Sequence, residues 1–187
     1  MIAALQVSLD GLIEGPDGEK DWADSWASAL QLVPDVDTFV LGGHMYPDYG
    51  EYWKSIDANP DGVPPFQDTV PSRDEVAYAR FAATTPHLVL STTLTSVSWP
   101  PTARIVRDVE ELRALKHQRG KNMYVVGGAA IVTSLLNADL LDEVRLIVHP
   151  VLLGSGKALF HGAKRRSLQF VGAESSEPGR VVLTYRI

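Results

Sequence analysis

YVVGGAAIVTSLL, residues 124–136, joins two different apolar patterns through a pair of glycines. Residues 124–126 have the composition of a buried strand, and residues 131–136 repeat at the one-and-four spacing of a helix face. Gly127 and Gly128 therefore lie at a predicted strand-to-helix turn. Without Cβ atoms, such a turn lets an anion such as phosphate reach the free N–H groups of the first helical turn. Close packing alone also explains a glycine pair, so both interpretations stay open.

A second glycine pair has the same setting. FVLGGHMY, residues 39–46, runs from a predicted strand through Gly42 and Gly43 to a helix predicted to begin near His44. In a parallel sheet both turns lie at the carboxyl ends of strands, where open α/β folds bind ligands. Two phosphate-sized sites suit a dinucleotide.

The rest of the chain alternates short β-rich runs with helical windows, the pattern of an α/β domain. Ser72 and Glu75 have the spacing of a capping box, and Asp108 is a candidate N-cap. The segment 47–71 is rich in Pro, Asp and Gly, and we interpret it as an excursion over the surface. Strands are predicted at 2–9, 36–42, 87–91, 122–126 and 143–149, helices at 72–82 and 108–118, and an antiparallel hairpin around 177–179.

Composition sets further limits. The chain has 187 residues, no cysteine and a net charge of −6, which predicts one domain over 1–187, no thiolate metal site and no nucleic-acid partner. No apolar stretch approaches the roughly 20 residues of a membrane helix, so no membrane protein is expected. Because the sequence has no cysteine, a cytoplasmic location is the default expectation. His149 and His161 are too far apart in sequence for a compact ligand motif, and no metal is expected.

The order of the motifs resembles the dihydrofolate reductase-like superfamily, and most closely the C-terminal reductase domain of bifunctional riboflavin-biosynthesis proteins. The matching motifs are SLDGLI at 8–13, VLGG at 40–43, LST at 90–92, VVGGA at 125–129 and LLDEVRLIVHPVLLGSGKALF at 140–160. The resemblance implies a mainly parallel central sheet with an antiparallel C-terminal hairpin and helices on both faces. It also implies a homodimer that uses NADPH to reduce a pterin, a pyrimidine or a related heterocycle. Because the sequence holds no deaminase region, we expect a stand-alone member.

The resemblance also implies a set of cofactor contacts. It places Val7 and Ile13 near the nicotinamide, although both also suit a plain core. One position departs from the pattern of dihydrofolate reductases. Gly43 stands where those enzymes usually carry an Arg that binds the 2′-phosphate of NADPH. His44 is a weaker, pH-dependent partner, Arg73 and Arg104 are possible replacements, and NADH is not excluded. The remaining implied contacts are Gly42, Gly43, His44 and Met45, Ser91 and Thr92, and Gly127, Gly128 and Ala129.

Hydride transfer also needs a proton source, and Asp10 and Asp24 are the candidate catalytic residues. Asp10 in Ser-Leu-Asp-Gly is better explained as a turn former, with a substrate or cofactor contact as the alternative. Asp24 follows Trp22, as the acidic substrate-binding residue of dihydrofolate reductases follows a Trp, and it is also a good N-cap. Trp22 and Trp26 are candidates to stack on a flat substrate, or half-buried aromatic residues of a helix.

Three functions stay open. The first is an NAD(P)H-dependent reductase of a small heterocycle. The second is a protein of the same fold that binds a dinucleotide or another phosphate ligand without catalysis. The third is a structural or partner-binding protein in which the glycine turns serve packing only.

Overall fold

The computed structural model describes residues 1–118 and 120–187, which form two compact units. The terminal unit comprises residues 1–34 and 124–187, and the central unit comprises residues 35–123. The single domain expected over 1–187 stays a prediction.

The chain contains ten strands and five helices among the described residues. In chain order they are β1 (Ile2–Ser8), β2 (Leu12–Glu14), α1 (Trp26–Leu30), β3 (Val36–Gly42), α2 (Tyr46–Ala58), α3 (Arg73–Thr84), β4 (His87–Leu90), β5 (Ala103–Val106), α4 (Val109–Lys116), β6 (Asn122–Gly127), α5 (Ala129–Asn137), β7 (Glu143–His149), β8 (Lys157–Ala158), β9 (Gln169–Ser176) and β10 (Arg180–Arg186).

The terminal unit has a mixed sheet in the order β6-β1-β7-β10-β9. β1 pairs in parallel with β6 and β7, whereas β10 pairs antiparallel with β7 and β9. Six of the seven β1 residues are buried, as expected for a central parallel strand covered on both faces. Ser8 at the end of β1 pairs with His149 at the end of β7, so both side chains lie at the carboxyl edge of this sheet.

The central unit has three parallel strands in the order β5-β4-β3. Gly42 pairs with Leu90, so the turns after β3 and β4 lie side by side. α2 and α3 contribute aromatic side chains to the core, where Trp53 and Tyr78 pack with ring centroids 4.1 Å apart. The predicted capping box is confirmed, because the Ser72 hydroxyl accepts from the Glu75 N–H and the Glu75 carboxylate accepts from the Ser72 N–H.

The interpretation of 47–71 as a surface excursion is wrong for its first half, which belongs to α2. Pro47 lies in the first helical turn, where its missing N–H is not needed, so it starts the helix rather than breaking it. The helix begins at Tyr46 rather than His44 and buries Tyr49, Trp53 and Ile56. These three residues are separated by four and then three positions, which is the spacing of one helix face, and the surrounding Pro, Asp and Gly residues obscured it.

The predicted fold class is confirmed as an α/β fold with mainly parallel strands and an antiparallel C-terminal hairpin. The predicted strands at 36–42 and 143–149 agree with β3 and β7 at both ends. β5 was not predicted, because ARIV is a run of only four residues with the charged, exposed Arg104 at its second position.

Candidate cofactor and substrate sites

The glycine turn after β6 leaves open space at the start of α5. β6 ends at Gly127, whose φ of +135° strongly favours glycine, and Gly128 is the N-cap of α5. No side chain caps this helix, and a Cβ built on Gly128 would meet no atom within 4 Å. The first-turn N–H groups, which begin at Ala129, therefore have no capping side chain, and N–H groups of this kind can bind an anion of phosphate size.

The glycine pair after β3 has a different physical origin. The Gly43 N–H donates to the Leu90 carbonyl at 3.0 Å, and a Cβ on Gly43 would overlap the side chain of Ser91. Close approach of the turns after β3 and β4 therefore requires glycine at position 43. His44 is exposed, and Met45 is the N-cap of α2, again with no side-chain cap.

Ser91 organises the turn after β4. Its hydroxyl oxygen accepts from the N–H groups of Thr93 at 3.2 Å and Leu94 at 3.0 Å, while Thr92 is exposed. Arg107 supports the same turn from outside, because its Nη1 donates to the Ser91 carbonyl at 3.0 Å and to the Leu94 carbonyl at 2.7 Å. The turn is thus fixed by its own serine and by a cation that sequence reasoning did not single out.

Asp10 has the contacts of a turn former. Its carboxylate accepts from the Ser8 hydroxyl at 2.6 Å and from the Gly154 and Leu153 N–H groups at 2.8 and 3.3 Å. The Ser8 hydroxyl and then the Gly154 N–H lower the pKa of Asp10 to about 2, so the carboxylate is ionised at neutral pH. These contacts favour the structural interpretation of Asp10, while its catalytic role stays a prediction.

Gln6 holds the segment that carries Asp24. The Gln6 Nε2 donates to the Asp24 carbonyl at 2.7 Å and to the Ser25 carbonyl at 3.2 Å, and the Gln6 Oε1 accepts from the Asp24 N–H at 2.8 Å. The Asp24 carboxylate forms an ion pair with Arg180 from the start of β10. Ser25, rather than Asp24, is the N-cap of α1, so the predicted capping role of Asp24 is wrong.

His149 completes this cluster at the end of β7. Its Nε2 lies 2.8 Å from the Gln6 Oε1, which accepts, because the Gln6 amide nitrogen already donates to two carbonyls. His149 is 5% exposed, and burial lowers its pKa, which keeps the imidazole neutral at pH 7. Trp22 packs edge-on against it with ring centroids 5.3 Å apart, and the Trp22 indole N–H is buried without a hydrogen-bond partner among the described residues.

We name Gln6, Trp22, Asp24, His149 and Arg180 the Gln6 cluster. Trp22 and Asp24 were predicted from the sequence as site residues, whereas Gln6, His149 and Arg180 were not. Gln6 gave one usable signal, since it is the single polar residue between Ile2 and Val7 in a buried strand. Trp22 precedes α1 instead of lying on a helix, and Trp26 is the first, half-buried residue of α1.

The predicted cofactor residues divide between the two units. Val7 is buried in β1, and Ile13 is half-buried in β2. The terminal unit holds Val7, Ile13, Gly127, Gly128 and Ala129, and the central unit holds Gly42, Gly43, His44, Met45, Ser91 and Thr92.

A groove of about 600 Å³ runs along α2 in the central unit, lined by residues that include Tyr46, Lys54 and Leu94.

Neither a metal site nor a membrane span occurs in the described part of the chain. Among residues 1–118 and 120–187, no group of three His, Asp or Glu side chains is arranged to hold a metal ion. No helix in these ranges is long and apolar enough to cross a membrane.

Solved structures of two reductases share the fold. The deaminase/5-amino-6-(5-phosphoribosylamino)uracil reductase of Thermotoga maritima is 15% identical with a TM-score of 0.65, over 99% of this chain and 55% of that one. Dihydrofolate reductase from Enterococcus faecalis, solved with NADP(H), is also 15% identical with a TM-score of 0.60, over 100% of this chain and 95% of that one. The fold is thus of the dihydrofolate reductase-like class.

The sequence identifies the family within this class. The model of the RibD C-terminal domain matches residues 1–182, and the chain belongs to this family. The protein YyaP of Bacillus subtilis, itself uncharacterised, is 31% identical over 99% of this chain and 93% of its own length.

Proposed function

We propose that the protein is an NAD(P)H-dependent reductase that transfers hydride to a small pyrimidine, pterin or related heterocycle. The observation that carries the proposal is the open, uncapped start of α5 at Gly128, in a chain of the RibD C-terminal domain family. A nicotinamide dinucleotide, when bound, supplies the hydride. NADPH is the favoured form because the E. faecalis reductase of the same fold was solved with NADP(H).

The residues present fit such a cofactor. A phosphate needs free N–H groups and room to approach them, and both occur where α5 begins at Ala129. The start of α2 is likewise uncapped, next to the turn in which Gly43 packs on Ser91. Each of these helix starts, taken by itself, suits one phosphate group.

The Gln6 cluster suits a polar heterocycle. Adding hydride to a C=N bond leaves an electron pair on nitrogen that must take up a proton. In its ion pair with Arg180, the Asp24 carboxylate is charged and can accept a hydrogen bond from a ring N–H or orient a water that delivers the proton. The buried Trp22 N–H needs an acceptor, such as a ring carbonyl or a water held by the substrate. We do not assign the proton to Asp10, whose carboxylate the turn already engages.

Binding at Gly128 is tested with a matched pair of variants. Gly128→Val fills the open space at the start of α5, whereas Gly172→Val fills equally open space on β9. We expect Gly128→Val to weaken NADPH binding at least about tenfold in a titration followed by tryptophan fluorescence, with an unchanged melting temperature, because it blocks the N–H groups. Gly172→Val should bind like the wild type. If folded Gly128→Val binds NADPH as tightly as the wild type, the glycine pair serves close packing and not phosphate binding.

Turnover is tested at Asp24. Asp24→Asn should lower kcat for the NADPH-dependent reduction of a heterocycle, because Asp24 orients the group that delivers the proton. The Kd for NADPH should stay near the wild-type value, because Asp24 does not contact the phosphates. Glu174→Gln on exposed β9 is the control for the loss of one negative charge. If Asp24→Asn and the wild type have the same kcat, Asp24 takes no part in the reaction.

A second candidate function is dinucleotide binding without catalysis. The ion pair of Asp24 with Arg180 favours it, because a carboxylate held by a guanidinium has no proton of its own to donate. Oxidation of NADPH at 340 nm with a panel of pyrimidines and pterins separates the two candidates: binding without oxidation supports the second.

We also propose a homodimer. The C-terminal hairpin exposes three large apolar side chains: Phe170 at 59%, Val171 at 48% and Val181 at 39%. Burial of such a surface against a second copy would remove it from water. Sedimentation equilibrium tests this: a dimer that Phe170→Asp dissociates supports the proposal, and a monomeric wild type contradicts it. The cytoplasmic location stays a prediction.

A further inference from the structure

We infer that Gln6 is a positioning residue, which sets the place of the Asp24 carboxylate by holding the backbone of Asp24. This inference rests on the proposed function, because it requires that Asp24 takes part in delivering the proton. It concerns the terminal unit alone, in which Gln6 lies on β1 and Asp24 lies just before α1.

Asp24 depends on a side chain for its backbone hydrogen bonds. Residues 21–25 form neither a helix nor a strand. The Asp24 N–H donates to the Gln6 Oε1 at 2.8 Å, and the Asp24 carbonyl accepts from the Gln6 Nε2 at 2.7 Å. The Gln6 amide therefore takes the place that a peptide group of a neighbouring strand takes in a sheet. The Ser25 carbonyl accepts from the same Nε2 at 3.2 Å.

Gln6 has a rigid support. β1 pairs with β7 along its whole length, from Ile2 to Ser8. Six of the seven β1 residues are buried, and Gln6 is the half-buried seventh. A side chain on such a strand is held more precisely than one on a loop. The hydrogen bonds of Gln6 thus fix the Asp24 segment relative to the sheet.

The partners of the Gln6 amide also determine its orientation. A backbone N–H can only donate and a carbonyl can only accept, so Oε1 faces the Asp24 N–H and Nε2 faces the two carbonyls. The same Oε1 accepts from the His149 Nε2 at 2.8 Å. His149 is buried at the end of β7, so a second strand holds the amide in this orientation.

This arrangement favours a role at the site over simple packing. An apolar side chain would fill a buried strand at a lower desolvation cost than an amide. The Gln6 amide instead bonds to the segment that carries Asp24. The Asp24 carboxylate lies beside Arg180 and is 38% exposed, so it stays accessible to a substrate or a water.

Gln6→Met tests the inference, because Met has a similar shape but cannot donate a hydrogen bond. The amide hydrogen of Asp24 should exchange with solvent at least about tenfold faster, measured by NMR without substrate. For each pyrimidine or pterin that the wild type reduces with NADPH, kcat should fall at least about tenfold, since a displacement of about 1 Å can cost 10²-fold. The Kd for NADPH should change less than about threefold.

Two controls separate positioning from damage to the fold. Gln67→Met, the same substitution at an exposed position of the central unit, should resemble the wild type in all three measurements. In the Asp24→Asn background, Gln6→Met should lower kcat less than about threefold, because no carboxylate is left to position. Equal fractional losses in both backgrounds would show that Gln6 only supports the fold, and this would overturn the inference.

Gln6→Glu replaces Gln6→Met if the latter does not fold. Its carboxylate still accepts from the Asp24 N–H but cannot donate to the carbonyls of Asp24 and Ser25, so kcat should again fall at least about tenfold. Wild-type kcat in a folded Gln6 variant would overturn the inference and leave the proposed function standing. A wild type that oxidises no NADPH with any pyrimidine or pterin of the panel would overturn the proposed function and the inference with it.

Discussion

Acid should unfold the protein through His87, which is completely buried in the central unit. Its Nδ1 donates to the Thr85 carbonyl at 2.8 Å, and its Nε2 accepts from the Tyr49 hydroxyl at 3.0 Å. Phe39 packs on the ring with centroids 4.7 Å apart. Burial lowers the pKa of His87 from 6.5 to about 4, because a charged imidazole would lose its hydration there.

The sign and size of the effect follow from linkage. In the unfolded chain His87 takes up a proton near pH 6.5, while the folded chain resists protonation down to about pH 4. The contribution of His87 to stability is therefore complete above pH 6.5 and is lost as the pH falls toward 4. Between pH 7.5 and pH 5 the free energy of unfolding should fall by about 2 kcal/mol from this residue.

The assay is urea unfolding followed by tryptophan fluorescence between pH 7.5 and pH 5. Trp53 and Trp99 lie in the central unit, and the Trp99 ring lies 5.9 Å from the His87 ring, so the fluorescence of these two residues reports on the unit that contains His87. His87→Gln keeps a donor and an acceptor but cannot be protonated, and it should lose about 2 kcal/mol less than the wild type over this range. His161→Gln, at an exposed position, should keep the wild-type pH dependence. If the free energy of unfolding of His87→Gln falls with pH as steeply as that of the wild type, His87 is not the group whose protonation destabilises the fold.

Three further substitutions test local contacts. Gly43→Ala should destabilise the protein by about 1–3 kcal/mol in urea, because its Cβ overlaps Ser91. Ser91→Gly loses the hydrogen bonds of its own turn, but in that background Gly43→Ala should cost less than in the wild type; additive effects would contradict this packing. Asp10→Asn should lower the melting temperature and flatten the acid profile between pH 4 and pH 2, since the carboxylate is stabilising only while ionised; an unchanged profile would contradict the contact with Gly154. Ser72→Ala should cost about 1 kcal/mol by removing the cap of α3, and unchanged stability would show that the cap is not needed.

The fold was largely predictable because its strands follow local rules. β3 and β7 are apolar runs with clear ends, and α3 and α4 begin with capping side chains. α2 was not predictable from propensity, since Pro47 and Gly50 are poor helix formers. Its aromatic face packs on α3, and this tertiary contact outweighs the local preference.

The candidate site was predictable only where it depends on backbone shape. The glycine pairs were visible because few other residues fit such turns. The Gln6 cluster was not, because Gln6 and His149 meet across 143 positions of the sequence. Arg107 was missed for the same reason, since its partners Ser91 and Leu94 lie 16 and 13 positions away.

A calorimetric titration of the wild-type protein with NADPH decides whether the chain has a nicotinamide-dinucleotide site. We expect saturable binding with a Kd below about 1 mM, the upper end of ordinary enzyme affinities. An absence of binding at several millimolar NADPH and NADH would contradict it, and the open start of α5 would then be an architectural feature of the fold.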